Sequence, residues 1–413
     1  MTTLNSDTPS GPLNGLRVIE LAHIMAGPAC GLMLADMGAD VIKVEKIGTG
    51  DDSRRFLPPS IAGESAAFMM MNRNKRGIAL NLKHEDGKAI LLRLVKEADV
   101  VIENYRHDTM ARLGLDYDTL RAINPGLIYC EISGFGRTGP YRERGGFDLI
   151  AQGMSGLMSI TGEGPDRTPV KVGSPITDIT AGILGAMGVC AAYAHKLKTG
   201  LGQRVDTSLF EAGITQTFWQ SAIAFATGEP PEPMGSAHPL NAPYQSIATK
   251  DGWINIGAAN QANWVRMLDV IDAKHLDDDA RFASNADRMA HRDELIKELE
   301  TFFITKDTTT WVDQFNEAGI PAGPILDITQ MHKDPQAMAR EMIPEVDHPV
   351  AGRVKTLGAP VKFHATPTAV NCAAPILGQH SQEVLAEIGY SESEIQAFVA
   401  TGVIGQPGSA AAG

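Results

Sequence analysis

Cysteine is scarce in this chain: Cys30, Cys130, Cys190 and Cys372 are the only four in 413 residues. They lie far apart, with no CxxC pair and no histidine cluster at metal-ligand spacing. That excludes a disulfide scaffold or zinc module, and the thiols read as buried side chains in a reducing compartment. Positive charge is also short. Lys and Arg total 36 against 49 Asp and Glu, a net charge of −13. This balance argues against nucleic-acid binding and against an anionic membrane surface, so an anionic ligand needs a local basic patch. Long apolar runs are missing too. The longest charge-free apolar stretch, Ile179 to His195, contains three glycines and falls short of the roughly 20 residues that span a bilayer. It reads as a buried helix. Residues 1–11 (MTTLNSDTPSG) have no apolar core and therefore no secretory signal, which points to the cytoplasm.

The length suits two domains with sizeable cores. The first ordered segment, LRVIELA (16–22), is apolar and β-branched, as a buried parallel strand is. A helix over 26–39 and a strand over 40–46 follow without a hairpin, which makes a βαβ unit. The pattern returns as a strand (77–82), a helix (84–98), a strand (99–104), a short helix (118–123) and a strand (126–135). This is a doubly wound, mostly parallel α/β domain. In place of a GxGxxG turn after the first strand stands His23-Ile24-Met25-Ala26-Gly27-Pro28, which argues against a dinucleotide cofactor. Helices are expected over 182–200 and 208–228, and the Pro/Gly-rich segment 228–243 then breaks the pattern. A hairpin over 244–258 and helices near 260–272, 287–303 and 308–318 make a smaller α+β unit. The segment 319–327 reads as a connector and 348–363 as strands. The last helix opens on a capping box at Ser391 to Glu394, and 405–413 reads as a disordered tail. The boundaries are 1–228 for the first part of the large domain, 229–330 for the small domain and 331–413 for the return.

Three stretches are specific in their wording: LNGLRVIELAHIMAGPACGLMLADMGADVIKVEKIGTGDDSR, NRNKRGIALNLKHEDGK and ADVVIENYRHDTMARLGLDYDTL. With SGFGRTGPYRERGGFDLIAQGMSGLMSITG, TDITAGILGA and TGLGQRVDTSLFEA, they resemble the class III CoA-transferases (CaiB/BaiF type), from about Leu13 to Ile404. That family includes formyl-CoA and crotonobetainyl-CoA carrier transferases. The resemblance implies a large domain built from both chain ends, an inserted small domain and an interlocked homodimer. It also implies acyl-CoA and carboxylic acid as substrates, with no tightly bound cofactor and no metal.

Asp178, in GSPITDITAGILGA, matches the family's catalytic aspartate. A carboxylate there would attack the thioester, expel CoA thiolate and form a mixed anhydride. The usual aspartate pKa of about 3.9 and a nearby helix N-terminus both favour the anion. By its own sequence context, Asp178 also reads as a cap of a helix beginning near Ile179. The CoA-binding positions carried over are His23, Ile24, Met25 and Ala26 in the first loop, with Lys46, Leu80, Lys83, Asn104, Tyr105, Arg106 and Arg112. Lys46 is often Arg in relatives. The cations would take phosphates and Tyr105 would stack on adenine, although singly each cation reads as a solvated surface charge. His23 receives no chemical role. Relatives that racemise 2-methylacyl-CoA carry Gly-His-Asp where Gly146-Phe147-Asp148 stands. Phe147 cannot carry a proton, which opposes the racemase alternative. A non-catalytic CoA-binding subunit is the other alternative, opposed by Asp178. Formyl-CoA transferases carry four glycines at the substrate loop where this chain has Gly257, Ala258, Ala259 and Asn260, and a Gln at the position of Met25. Both departures point away from formate and oxalate toward larger acids such as dicarboxylates, with Arg54, Arg55 or Arg73 as partners for a distal carboxylate.

Overall fold

The computed structural model describes residues 11–407. The N-terminal leader question (1–11, apart from Gly11) and most of the expected tail therefore lie outside the described residues. Gly405 does not belong to a disordered tail, because it is paired in a strand.

Among the described residues, the larger of two compact units comprises 11–157, 171–219 and 335–407; the smaller comprises 158–170 and 220–334. In the larger unit the chain forms β1 (Arg17–Glu20), α1 (Ala26–Asp36), β2 (Asp40–Glu45), β3 (Lys75–Leu80), α2 (Glu85–Glu97), β4 (Val100–Glu103), β5 (Ile128–Ser133), α3 (Asp148–Met154), α4 (Ile176–Thr199), β6 (Arg204–Ser208) and α5 (Leu209–Thr215). A short strand, β7 (Ile404–Gly405), closes one edge. The sheet order is β7-β3-β2-β1-β4-β5-β6. Every pairing is parallel except β7 with β3.

Both faces of the sheet are covered, which explains the unbroken apolar runs of its strands. Ile19, Ile42 and Val101 face a core with Ile90, Leu91 and Leu94 of α2, joined by Val384, Leu385 and Ile395 from the returning C-terminal segment. Val18, Val41 and Val100, one residue away in each strand, face α1 and α4 on the other side. The period-2 alternation of each strand thus feeds two separate cores.

Helix α4 begins at Ile176, earlier than its Gly/Ala-rich centre suggested, and runs 24 residues. By length and composition it could cross a membrane. Its buried residues Ala181, Gly182, Gly185, Ala186, Val189 and Ala192 form one stripe at helical spacing, while Ile183 and Met187 are exposed. It is therefore only half buried, not the wholly buried helix expected. Expected helix 208–228 is instead α5 plus a separate helix, Phe218–Thr227, and β6 was not anticipated.

The smaller unit carries an antiparallel sheet in which Trp253–Gly257 is flanked by Tyr244–Ala248 and Ala322–Pro324. The expected hairpin is present, and part of the expected connector 319–327 is its third strand. The capping box at Ser391 forms with Glu394.

Glycine is required where α4 crosses α1. A Cβ on Gly182 would stand 2.6 Å from the Ala29 Cβ and 2.8 Å from the Ala26 carbonyl oxygen. Gly182→Ala should therefore lower stability by about 1–3 kcal/mol, although alanine is the better helix former by about 1 kcal/mol. Denaturant unfolding checks this; equal or greater stability would mean that the two helices part easily.

Candidate active site

The order β3-β2-β1-β4-β5-β6 reverses direction between β1 and β4, so the loops leaving those strands diverge and open a crevice at their carboxyl ends. Two hydrogen bonds stitch the loops together there. The His23 backbone N–H donates to Asn104 Oδ1 at 2.8 Å, and Asn104 Nδ2 donates back to the His23 carbonyl at 2.8 Å. The His23 ring is buried, with Nε2 3.1 Å from the Tyr105 hydroxyl. Burial lowers the His23 pKa, chiefly by desolvation, so the ring is neutral near pH 7.

The next residue, Ile24, adopts φ +66°, a strained conformation for a β-branched side chain. Asp51 holds it, accepting from the Ile24 N–H at 3.0 Å. Asp51 in turn pairs with Lys43 at 2.8 Å, Lys43 with Glu20 at 2.9 Å, and Glu20 with Lys75 at 2.8 Å, all in the interior. Burial alone would raise the Asp51 pKa, but the Lys43 ammonium overrides it and holds the carboxyl well below the usual range.

Two cavities meet at this crevice. The larger, about 660 Å³, is lined by Lys46, Leu80, Lys83, Tyr105 and Arg112, together with Ile47, Leu82 and Leu113. The second, about 340 Å³, is lined by His23, Ile24, Met25, Ala26, Lys46, Asn104, Tyr105 and Arg106, and it contains Asp178 and Phe147. Lys46 and Tyr105 line both. The structure thus gathers Asp178 and the eleven positions carried over for CoA around two adjoining hollows. Two details differ from simple ligand contacts: both polar ends of the Asn104 amide are spent on the His23 loop, and Arg112 pairs with Asp108 at 3.2 Å. The segment Gly257, Ala258, Ala259 and Asn260 belongs to the smaller unit. Ala258 is buried there, and Asn260 caps the helix Gln261–Val270.

Asp178 is the third residue of α4, not its cap. Capping falls to Asp148 of α3, whose Oδ1 accepts from the Thr177 N–H at 3.0 Å and the Thr177 hydroxyl at 2.7 Å. Its Oδ2 accepts from Gln152 Nε2 at 2.7 Å, and Gln152 Oε1 accepts from the Val172 N–H at 2.9 Å. This network fixes the first turn of α4, and so the root of the Asp178 side chain. Asp178 itself has no ion pair and accepts no side-chain hydrogen bond among the described residues. Desolvation, and secondarily the Asp148 charge, push its pKa up to about 7. The helix N-terminus does not keep it low, as the sequence suggested, because burial outweighs a terminal dipole here.

Arg54 and Arg73 are not available to a distal carboxylate. Arg54 grips Glu45 with two bonds of 2.7 Å, and Arg73 is buried against Asp36. Arg55 is exposed and paired with Asp52. Sequence reasoning missed Asp51, Thr177 and Gln152, whose roles depend on partners distant along the chain. It also missed Arg137, Arg142 and Arg144, which line the second cavity; the run GRTGPYRERGG was their only signal.

The profile of CoA-transferase family III matches residues 13–381. The chain belongs to that family. Among its relatives, this CoA-transferase is 40% identical to a succinate–glutarate CoA-transferase of Agrobacterium fabrum, over 94% of this chain and 98% of that protein. It is 39% identical to an acetyl-CoA:oxalate CoA-transferase of Acetobacter aceti, over 88% and 92%. The crystal structure of a CaiB/BaiF family protein from Brucella suis superposes with a TM-score of 0.83 at 39% identity, covering 92% of this chain and all of that one.

The raised Asp178 pKa has a consequence for stability. The folded CoA-transferase holds this proton more tightly than the unfolded chain, so ionisation at high pH costs folding energy and protonation at low pH does not. Asp178→Asn should therefore stabilise the protein by roughly 1–3 kcal/mol at pH 8, after discounting for partial solvent contact. The gap should close as pH falls through 7 toward 4. Melting curves across that range test this; a gap independent of pH would place the carboxyl near its ordinary pKa.

Proposed function

We propose that the protein moves CoA between dicarboxylic acids, with Asp178 as the nucleophile. The observation that carries the reading is a half-buried carboxylate without a cation, in a hollow that adjoins a larger one lined by Lys46, Lys83 and Arg112. The larger hollow has the apolar walls and peripheral cations that suit a nucleotide with phosphates. CoA would lie across it, with its thioester beside Asp178.

An Asp178 oxygen attacks the thioester carbonyl carbon. A C–O bond forms, the C–S bond breaks, and CoA thiolate leaves. The thiolate then attacks the Asp178 carbonyl carbon of the anhydride, releasing the donor acid as its carboxylate and leaving an aspartyl-CoA thioester. The acceptor carboxylate attacks that thioester, the thiolate leaves again, and it returns to the acceptor's carbonyl carbon. Asp178 is freed as a carboxylate. One negative charge is present throughout and no net proton moves. A nucleophile raised to about 7 is poorly solvated and correspondingly reactive once ionised.

The acids named for the Agrobacterium and Acetobacter relatives, succinate, glutarate and oxalate, all carry a second carboxylate. We place the preference with the longer ones, because Met25 and the Gly257 to Asn260 segment depart from the formyl-enzyme pattern. We extend the reading to a homodimer: Met187 (63% exposed), Leu197 (70%) and Phe218 (76%) leave large apolar side chains in water, which a second copy would cover.

Incubation with succinyl-CoA and hydroxylamine should convert Asp178 to a hydroxamate detectable by peptide mass. Asp178→Ala should lose at least about 10³-fold in transfer, and wild-type kcat/KM for the donor should rise with pH to a plateau above about 7. Undiminished transfer in Asp178→Ala would falsify the mechanism.

A further inference from the structure

Resting on that reading, we infer that Arg144 forms the subsite for the distal carboxylate of the substrate acid. Lys46, Arg106, Arg137, Arg142 and Arg144 line the hollow that holds Asp178. Arg137 is buried against Glu103 at 2.6 Å and Arg142 is paired with Glu143 at 3.3 Å, whereas the other three make no ion pair among the described residues. Lys46 also lines the larger hollow, and Arg106 adjoins Tyr105, which lines both, so these two belong to the phosphate side. Arg144 is carried by a different segment, the one between β5 and α3. It lies four residues before Asp148, within about 14 Å of it along the chain, and Asp148 bonds directly to the first turn of α4 through Thr177.

The loop that carries Arg144 is anchored. The backbones of Gly134 and Gly146 touch so closely that a Cβ on Gly146 would stand 2.7 Å from the Gly134 Cα. The guanidinium lies over the Tyr141 ring, 4.0 Å from its centroid. The guanidinium makes no hydrogen bond or ion pair among the described residues, and its N–H fork matches a carboxylate bidentately. In the proposed sequence donor and acceptor acids both react at the Asp178 carboxyl, so one subsite in this hollow reads both.

The test compares glutarate with pentanoate, which has the same number of carbons and lacks the second carboxylate, as acceptors from saturating succinyl-CoA. Wild type should favour glutarate. Arg144→Gln should lower the glutarate-to-pentanoate ratio of kcat/KM by about 10- to 100-fold, and Arg144→Lys, which keeps the charge but loses the fork, by about 3- to 10-fold. Should the Gln variant melt early, the Lys variant supplies the same ratio. A ratio within about twofold of wild type in both variants overturns the subsite, as does a wild type that uses pentanoate as well as glutarate; in either case the transferase reading stands. Transfer to neither acid overturns the transferase reading and the subsite together.

Discussion

Beneath the first loop of the sheet, two ammonium groups and two carboxylates are sealed from water. Lys43, Lys75, Glu20 and Asp51 each have an oppositely charged partner at 2.8–2.9 Å. Removing four charges from water costs several kcal/mol per ion, and close pairing returns much of that cost. Lys75 shows the strain of the arrangement: burial brings its pKa down to about 8 despite Glu20 beside it. Such a network is a poor way to gain stability but an effective way to fix geometry, because moving any member leaves its partner unpaired. Here Asp51 uses it to hold the Ile24 N–H in a left-handed turn. The His23–Asn104 pairing extends that rigidity across the point where the strand order reverses.

Asp51 and Asp178 show the same side chain under opposite conditions. Both are largely removed from water and near the crevice. Asp51 pairs with an ammonium and is held anionic, whereas Asp178 has no ion-pair partner among the described residues and titrates at about 7, raised by burial and by the nearby Asp148 charge. The first serves as a strut. The second, once ionised, carries a charge that no cation in the described residues pairs, which is what a nucleophile needs if it is to exchange water for a bond to carbon.

What could be read in the chain followed from period and punctuation. β1, β2, β3 and β4 are short apolar runs between turns, and both faces of the sheet are covered, so their pattern left little ambiguity. β6 was lost because RVDTS is polar and lies at the sheet edge, where burial does not enforce an apolar run. The start of α4 was misplaced because Pro175 and Asp178 look like a helix opening at Ile179. Its first turn is in fact fixed from outside, by Asp148 twenty-nine residues earlier. Arg54 and Arg73 looked available because Glu45 and Asp36 become their neighbours only when the chain folds. Resemblance brought the crevice residues together by name, while their division between struts and contacts required the hydrogen bonds.

Helix α4 joins these requirements in one element. Its small-residue stripe lets it approach α1, whose own N-terminus follows the first loop, so the two walls of the crevice are set by one helix–helix contact. Its first turn carries Asp178, and its remaining face presents Ile183 and Met187 to solvent. A side chain on the crossing stripe would push α4 from α1 and carry Asp178 away from the His23 loop. The glycines at the crossing are thus tied to the chemistry through backbone distance, even though none of them can touch a substrate.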